Sequence, residues 1–588
     1  MEKWYVAAKR ADFDKWAQEF HISPVLARIL RNRDLTTEKE IQQFLYGKLE
    51  DCYSPWLLKD MDKAVELVLE ALEEDVVFRV IGDYDVDGIC SSYILTTGLK
   101  LLGARVDTAI PHRIHDGYGL NDHLIREAAD EGVGMIVTCD NGIAAEKQIA
   151  LAAELGIKVI VTDHHEVPFE VKEDGTRTEL LPPALAVIDP KQENCSYPFP
   201  GICGGVVAYK LVSALAEKSG VLALRDALEE FLELAALATV CDVMELRDEN
   251  RILVKEGLKR LKDTKNQGLK ALMEVNGLET ARLNVHHLGF VLGPCLNATG
   301  RLDTARRAME LLKSRTKAEA MSAARELKEL NDSRKNLTAQ GVEQAEQYIG
   351  EKQLASDKVM VIFLPEVHES LAGIIAGRIR ERYNHPVFLL TRGEEGVKGS
   401  GRSVEGYHMY EAMTRVKQYF TKFGGHAMAA GLSMREEDIE PLRRALNENC
   451  GMTEEDFVPK VLIDVPMPLD YANDRIADEL ELLEPFGVGN PKPLFAQKDL
   501  TFLAGYLMGA NKSFARFRVQ TPEGNIRQLV YFGDLEKFHT FLEERYGSGS
   551  TEALYRGNFQ NRISVVYQLG KNTFRGKTEI QYVMQYFC

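Results

Sequence analysis

VVFRVIGDYDVDGICSSYILTTGLKLLG, residues 76–103, decides the fold. A β-branched run ends in glycine, aspartates follow at 83, 85 and 87, and an apolar helical stretch begins at once. The same rhythm continues through RVDTAIP (105–111), GMIVTCD (134–140), KVIVTDHH (158–165) and LAVIDPK (185–191). Between these runs lie NDHLIREAADEG and AAEKQIALAAELG, with Asn121 placed as a helix N-cap and glycines at the helix ends. Strands alternating with helices at this spacing predict an α/β fold built on a doubly wound parallel sheet.

The acids fall where such a sheet binds ligands. Asp83, Asp85 and Asp87 follow the first run, Asp140 follows GMIVTC, Asp163-His164-His165 follows KVIVT, and Asp189 follows LAVI. In an open parallel sheet the crevice outside the carboxyl ends of the strands, near the topological switch point, takes the ligand. Carboxylates crowded there repel one another unless cations neutralise them. Hard oxygen ligands with one or two imidazoles suit manganese or magnesium better than zinc. Asp242, in ATVCDVMEL where an apolar helix ends, is placed to close the site. One aspartate after a buried strand is most often a cap or turn former, and paired histidines alone mean little. The ordered set DYDVDG, CDNG, TDHH and a later aspartate is what points to chemistry.

Outward from this segment, residues 204–330 read mostly as helix, and 304–348 has few breakers and predicts a long connecting helix. A second α/β segment spans 357–450, and 455–588 is β-rich, with the alternation of a small barrel. A chain of 588 residues divides into three or four domains. Its 45% hydrophobic and 27% charged content is that of an ordinary globular protein. No apolar run is long enough to cross a bilayer, and the first twenty residues lack a signal peptide's apolar stretch. Nine scattered cysteines without a Cys-x-x-Cys pair argue against a zinc ribbon or disulfide framework, and predict a reducing, cytoplasmic setting. The net charge of −17 speaks against a protein that coats nucleic acid, but not against a nuclease whose bound cations reverse the local potential.

DYDVDG at 83–88, DNGI at 140–143 and DHH at 163–165 resemble the first three motifs of the DHH phosphoesterases. The likeness continues through AVIDPKQENCSYPFPGICGGVVAYKL, ATVCDVMELRDENRILVKEGL and LGFVLGPCLNATGRLD. It then runs through GIIAGRIRERYNHPVFLL, KGSGRSVEGYHM and FGGHAMAAGLSM, which look like the DHHA1 domain of the RecJ family. LEPFGVGNPKPLF at 483–495 resembles that family's linker into an OB-fold. The resemblance covers about 76–495 and implies an N-terminal helical region (1–75) packing on the DHH domain, and a DHH catalytic domain (76–303). A connecting helix (304–350), a DHHA1 substrate-binding domain (351–452), and a linker with an OB-fold barrel (453–588) would follow.

The family's activity would be exonucleolytic hydrolysis of single-stranded DNA from the 5′ end to 5′-mononucleotides, in recombination and repair. Carried over, the resemblance makes Asp85, Asp87, Asp140, His164 and Asp242 ligands of two Mn2+ or Mg2+ ions. It sets His165 beside the scissile phosphate and makes Asp163 an orienting partner, with Asp83 either a weak ligand or another such partner. Ile81 stands where many DHH enzymes have a metal-ligating histidine. In GSGRS (399–403) glycines let N–H groups approach an anion beside Ser400 and Arg402, and FGGHAMAAG presents His426. Read alone these are tight turns; the resemblance makes them substrate-binding and adds Arg113 and Arg301 to a 5′-phosphate pocket. Phe514, Arg516 and Arg518 share one strand face, either turned to DNA or part of the barrel core. The partners implied are single-stranded DNA, a single-strand-binding protein and a RecQ-type helicase, with no membrane. A hydrolase of short oligonucleotides or cyclic dinucleotides is the alternative; such proteins usually end at the second domain. Intact core acids argue against a catalytically dead scaffold, and the arginines and barrel are superfluous for a pyrophosphatase.

Overall fold

The computed structural model describes residues 2–111, 119–172, 174–302, 305–393, 396–574 and 576–588, with the backbone alone at 299–302 and 574. Five strands, β1 (Val77–Gly82), β2 (Arg105–Ala109), β3 (Met135–Cys139), β4 (Lys158–Thr162) and β5 (Ala186–Ile188), form one parallel sheet. Their order is β2-β1-β3-β4-β5. The direction of winding reverses between β1 and β3, so the ligand crevice opens beyond Gly82 and Cys139. β3, β5 and all of β1 beyond Val77 are buried, as expected for a sheet covered on both faces. Arg79 is the charged residue in β1, and its buried guanidinium is held by Asp107 of β2 and by Glu131.

Helix α1 (Val86–Leu101) is buried along nearly its whole length and packs against α2 (Gly204–Ser219) and α3 (Leu222–Cys241). It starts inside the acidic motif, because Asp85 is its N-cap and accepts from Gly88 N at 3.1 Å. Asn121 caps the following helix as expected, accepting from Leu124 N.

The connecting helix α4 (Lys317–Glu351) begins later than its sequence predicts. Thr316 and Glu319 form a capping box that starts a new helix after Arg306–Lys313. A second sheet follows, β6 (Met360–Phe363), β7 (Val387–Gly393), β8 (Gly396–Arg402), β9 (Phe420–Gly425) and β10 (Ala429–Met434), in the order β9-β10-β8-β7-β6.

Contacts divide the chain into two compact units, 52–244 with 253–458, and 1–51 with 245–252 and 459–588. The second contains a closed five-stranded barrel spanning Phe495 to Phe587. Residues 1–51 belong to this barrel unit, which corrects the expectation that all of 1–75 packs on the catalytic domain. Phe20, Leu26, Ile29 and Leu30 share a core with Leu480, Leu483 and Phe495. Buried Arg251 donates to the carbonyls of Phe44, Leu482 and Leu483 and lies 4.0 Å over the Phe44 ring. The helix Met61–Glu73 does pack on the catalytic sheet, where Val187 N donates to Asp60 of its N-cap. Amphipathic periodicity identifies a buried face without naming its partner, so 1–51 and 61–73 could not be told apart from spacing. Among the described residues, no helix is long and apolar enough to cross a membrane.

Candidate metal centre

The acids at the carboxyl ends of β1, β3 and β4 converge. Asp83, Asp85 and Asp140 form one group, Asp87, His164 and Asp242 a second, and Asp140, His164 and His165 a third; in each, the potential ligand atoms lie within 4.8 Å of one another. His164 is the hub. Its Nε2 lies 3.1 Å from Asp140, 3.5 Å from Asp87 and 3.6 Å from Asp242.

Each side chain is set by local structure. Asp140 follows β3 in a left-handed conformation (φ 59°), its N–H donating to the Thr162 carbonyl at the end of β4. Asn141 locks the turn by donating to the carbonyls of Ile81 and Cys139. Asp87 is buried, and its two oxygens accept the N–H groups of Gly204 and Gly205, each at 2.7 Å, at the start of α2. A helix N-terminus favours that negative charge. Asp242 caps the far end of α3. Ile81 is fully buried in the sheet core, so that position contributes packing rather than a ligand.

The electrostatics fit a bound cation. Burial pushes the Asp140 carboxyl well above the usual range, and Asp87, Asp85 and Asp83 push it further. Asp85 is raised by burial and by Asp87. Asp242 is raised to about 8 by burial, Asp87 and Asp85. Burial also lowers His164, keeping its ring neutral and able to donate a lone pair. Its Nδ1 is buried and, among the described residues, makes no hydrogen bond, as does one oxygen of fully buried Asp189. Carboxylates that resist ionising together, gathered around a neutral imidazole, form a donor set suited to Mn2+ or Mg2+.

Asp163 is wired differently. One oxygen accepts from Ile143 N, the other from His164 N, His165 N and His165 Nδ1, the last at 2.7 Å. Burial alone would raise its pKa, but the His165 hydrogen bond and charge hold it below the ordinary range. Conversely, burial lowers His165, yet Asp163 outweighs it and raises the imidazole to about 9. His165 is half exposed and lines a cleft of about 680 Å3 with Leu120, Asn141, Ile143, Lys191 and, from the second sheet's domain, His426.

The structure therefore gathers Asp83, Asp85, Asp87, Asp140, Asp163, His164, His165 and Asp242, with His426 across the cleft. Ser400 and Arg402 sit beside Gly373 of the helix Glu369–Tyr383 and are not among the cleft-lining residues. Arg113 and the side chain of Arg301 lie outside the described residues. Sequence reasoning overlooked Gly204 and Gly205, whose sign was a glycine pair opening an apolar helix. It also overlooked Asn141, inside a motif already singled out.

Residues 77–239 match the DHH family N-terminal domain, 356–452 the DHHA1 domain, and 463–586 the RecJ OB domain. The chain is 34% identical over 590 residues to the single-stranded-DNA-specific exonuclease RecJ of Bacillus subtilis, covering 99% of this chain and 70% of that protein. It is 32% identical to the Escherichia coli exonuclease of the same name, covering 99% of each. Crystal structures of RecJ from Thermus thermophilus with Mn2+ and with Mg2+ superpose with TM-scores of 0.81 and 0.75, at 27% and 25% identity. They cover all of this chain and 79% and 78% of those chains.

Proposed function

The chain belongs to the RecJ family of single-stranded-DNA-specific exonucleases, and from that premise we propose that it digests a single strand from its 5′ end, releasing 5′-mononucleotides. It is a metal-dependent exonuclease of single-stranded DNA using Mn2+ or Mg2+. The observation that carries the reading is the convergence of Asp87, Asp140 and Asp242 on His164 Nε2. Asp85, Asp87, Asp140, His164 and Asp242 hold the ions, with Asp83 beside them. Two divalent cations at such a site supply Lewis-acid activation of water and neutralise charge on the phosphate and the departing oxygen.

The protein's own groups do the rest. Asp163 keeps His165 protonated and oriented through the 2.7 Å bond, and the half-exposed ring offers a cationic donor to the scissile phosphate. The N–H groups of Gly204 and Gly205 fix Asp87, so that carboxylate need not reorganise during the reaction. Arg113, Arg301, Ser400, Arg402 and His426 form the candidate set for the 5′ phosphate. The barrel domain carries Arg516 and Arg518 exposed on one strand face, with Ala515, Phe517 and Val519 turned into the core. This alternation supports a strand-tracking role for the outer face. A helicase of RecQ type and a single-strand-binding protein would supply the substrate in repair and recombination.

Three substrates test polarity. A closed circular single strand and one with a bulky 5′ block should persist, whereas a 3′-blocked strand should be reduced to mononucleotides. Digestion of the circle, or of the 5′-blocked strand alone, would sink the proposal.

A further inference from the structure

Two large apolar side chains stand in solvent near the end of α3, which Asp242 caps. Val243, the next residue, is 65% exposed with φ 59°, and Phe290 is 67% exposed. Phe290 lies on a short π-helical turn, Leu288–Leu292, that runs against the end of α3. The contact is close: a Cβ on Gly289 would lie 3.3 Å from Val240, and one on Gly293 2.4 Å from Cys241 Sγ. Cys241 also bonds the Leu288 carbonyl at 3.7 Å. Asp242 in turn reaches His164. The turn carrying Phe290 is thus packed against Val240 and Cys241, the two residues that precede Asp242.

The wide turn explains why Phe290 is outside. Leu288 and Leu292 are both fully buried, which leaves Phe290 midway between them on the opposite side. Single π turns are rare and recur at functional sites. His286 stacks on Phe290, with ring centroids 4.8 Å apart and planes 21° from parallel. Phe290 is thereby held as a flat surface open to solvent.

We propose that Phe290, backed by His286, is a stacking platform for a nucleobase of the single strand on the side of the metal centre that Asp242 closes. This rests on the exonuclease reading. A strand bound by its phosphates at the metal centre must project its bases away from the ions. A solvated aromatic face on a turn packed against the two residues before Asp242 is a surface on which any base can stack, whatever the sequence. Arginine or lysine would grip the backbone; Phe290 grips the base. It is a positioning residue, with no part in bond cleavage.

The test pairs a protein change with a substrate change. Wild type, Phe290→Ala and Phe290→Trp are compared on a 5′-phosphorylated single strand, intact or with one abasic position walked along it. Phe290→Ala should raise KM and lower kcat/KM about ten-fold with little change in kcat, and Phe290→Trp should restore it. In wild type one register of the abasic position should cause a pause. In Phe290→Ala that register should cause no further loss, because base and ring are two halves of one contact. Because Phe290 is exposed, the melting temperature should not move. An unchanged KM, or losses that multiply at every register, would overturn the proposal. Normal digestion of naked strand with lost stimulation by a single-strand-binding protein would also overturn it, assigning the patch to a protein instead. A wild type inert toward intact strand would contradict the exonuclease reading itself.

Discussion

Replacing Gly204 with alanine should uncouple activity from stability. An added Cβ would lie 2.8 Å from Asp140 Cβ, 3.1 Å from Asp140 Cα and 3.1 Å from an Asp87 oxygen. Carbon atoms pack at about 3.5 Å or more, so Asp140 and the start of α2 must separate by roughly 0.7 Å. The Gly204 and Gly205 bonds to Asp87, now 2.7 Å each, would then stretch by up to about 0.7 Å, toward the end of the useful range. Overpacking of this kind costs about 1–3 kcal/mol. For a unit of this size that is a fall of several degrees in melting temperature, at roughly 2–4 °C per kcal/mol. The loss of position acts on the rate instead, because a misplacement near 1 Å in a catalytic group lowers rates about 100-fold. Steady-state digestion of end-labelled single strand should therefore show kcat/KM down about two orders of magnitude, and Mn2+ titration a weakened site. Calorimetry should show the protein still folded. A Gly204→Ala protein with normal rate and normal Mn2+ affinity would refute the claim that α2 is pressed against Asp140 to fix Asp87.

Three further outcomes follow from the charges. In metal-free protein, the His165 ring should titrate near 9 by NMR, and Asp163→Asn should bring it back toward the ordinary value of about 6.5. While Asp163 stays ionised, His165's contribution to stability is complete below about 6.5 and is lost as pH rises through about 9, and it is lost again in acid as Asp163 takes up a proton; an unmoved titration would exclude Asp163 as its cause. Because Asp242 holds its proton up to about 8, protons should compete with Mn2+. Calorimetric affinity should rise with pH through about 8, and Asp242→Asn should lessen that rise while weakening binding. Away from the centre, burial raises Glu233 to about 7 although the Thr264 hydroxyl donates to it. The folded form then binds the extra proton between about 4.5 and 7, so Glu233 costs stability progressively as pH rises through that window. Glu233→Gln should melt higher than wild type at pH 8 and alike at pH 4.5; equal melting at both would contradict the burial argument.

The catalytic sheet was legible because its signals are local. Each buried strand ends on an acid, and an acid's place after a strand fixes its place at the crevice. Asp83, Asp85, Asp140 and the Asp163–His165 run therefore met as expected. Asp242 was read as closing the site from the end of an apolar helix, where it caps α3. What could not be read depends on surfaces meeting at a distance. Gly204 and Gly205 look like any helix-opening glycines until Asp140 and Asp87 are placed against them. Residues 1–51 advertise an apolar face but not the barrel core it joins. Ser400 and Arg402 were read as part of an anion-binding turn, yet they lie in β8, a strand paired on both sides, beside Gly373. Pairing fixes a strand's backbone groups on its neighbours, leaving only its side chains for an anion. Phe290 gave no signal, since an apolar residue in a helical stretch reads as core until its neighbours are known.

The most direct test is Mn2+-dependent digestion of a long single strand labelled separately at each end, comparing wild type with Asp140→Ala. Mononucleotides should be released from the 5′ end only and in dependence on the added metal, with a loss of at least about 100-fold in the variant. Equal release from both ends would contradict the polarity. Wild-type digestion by the Asp140→Ala protein would contradict the placement of the metal centre.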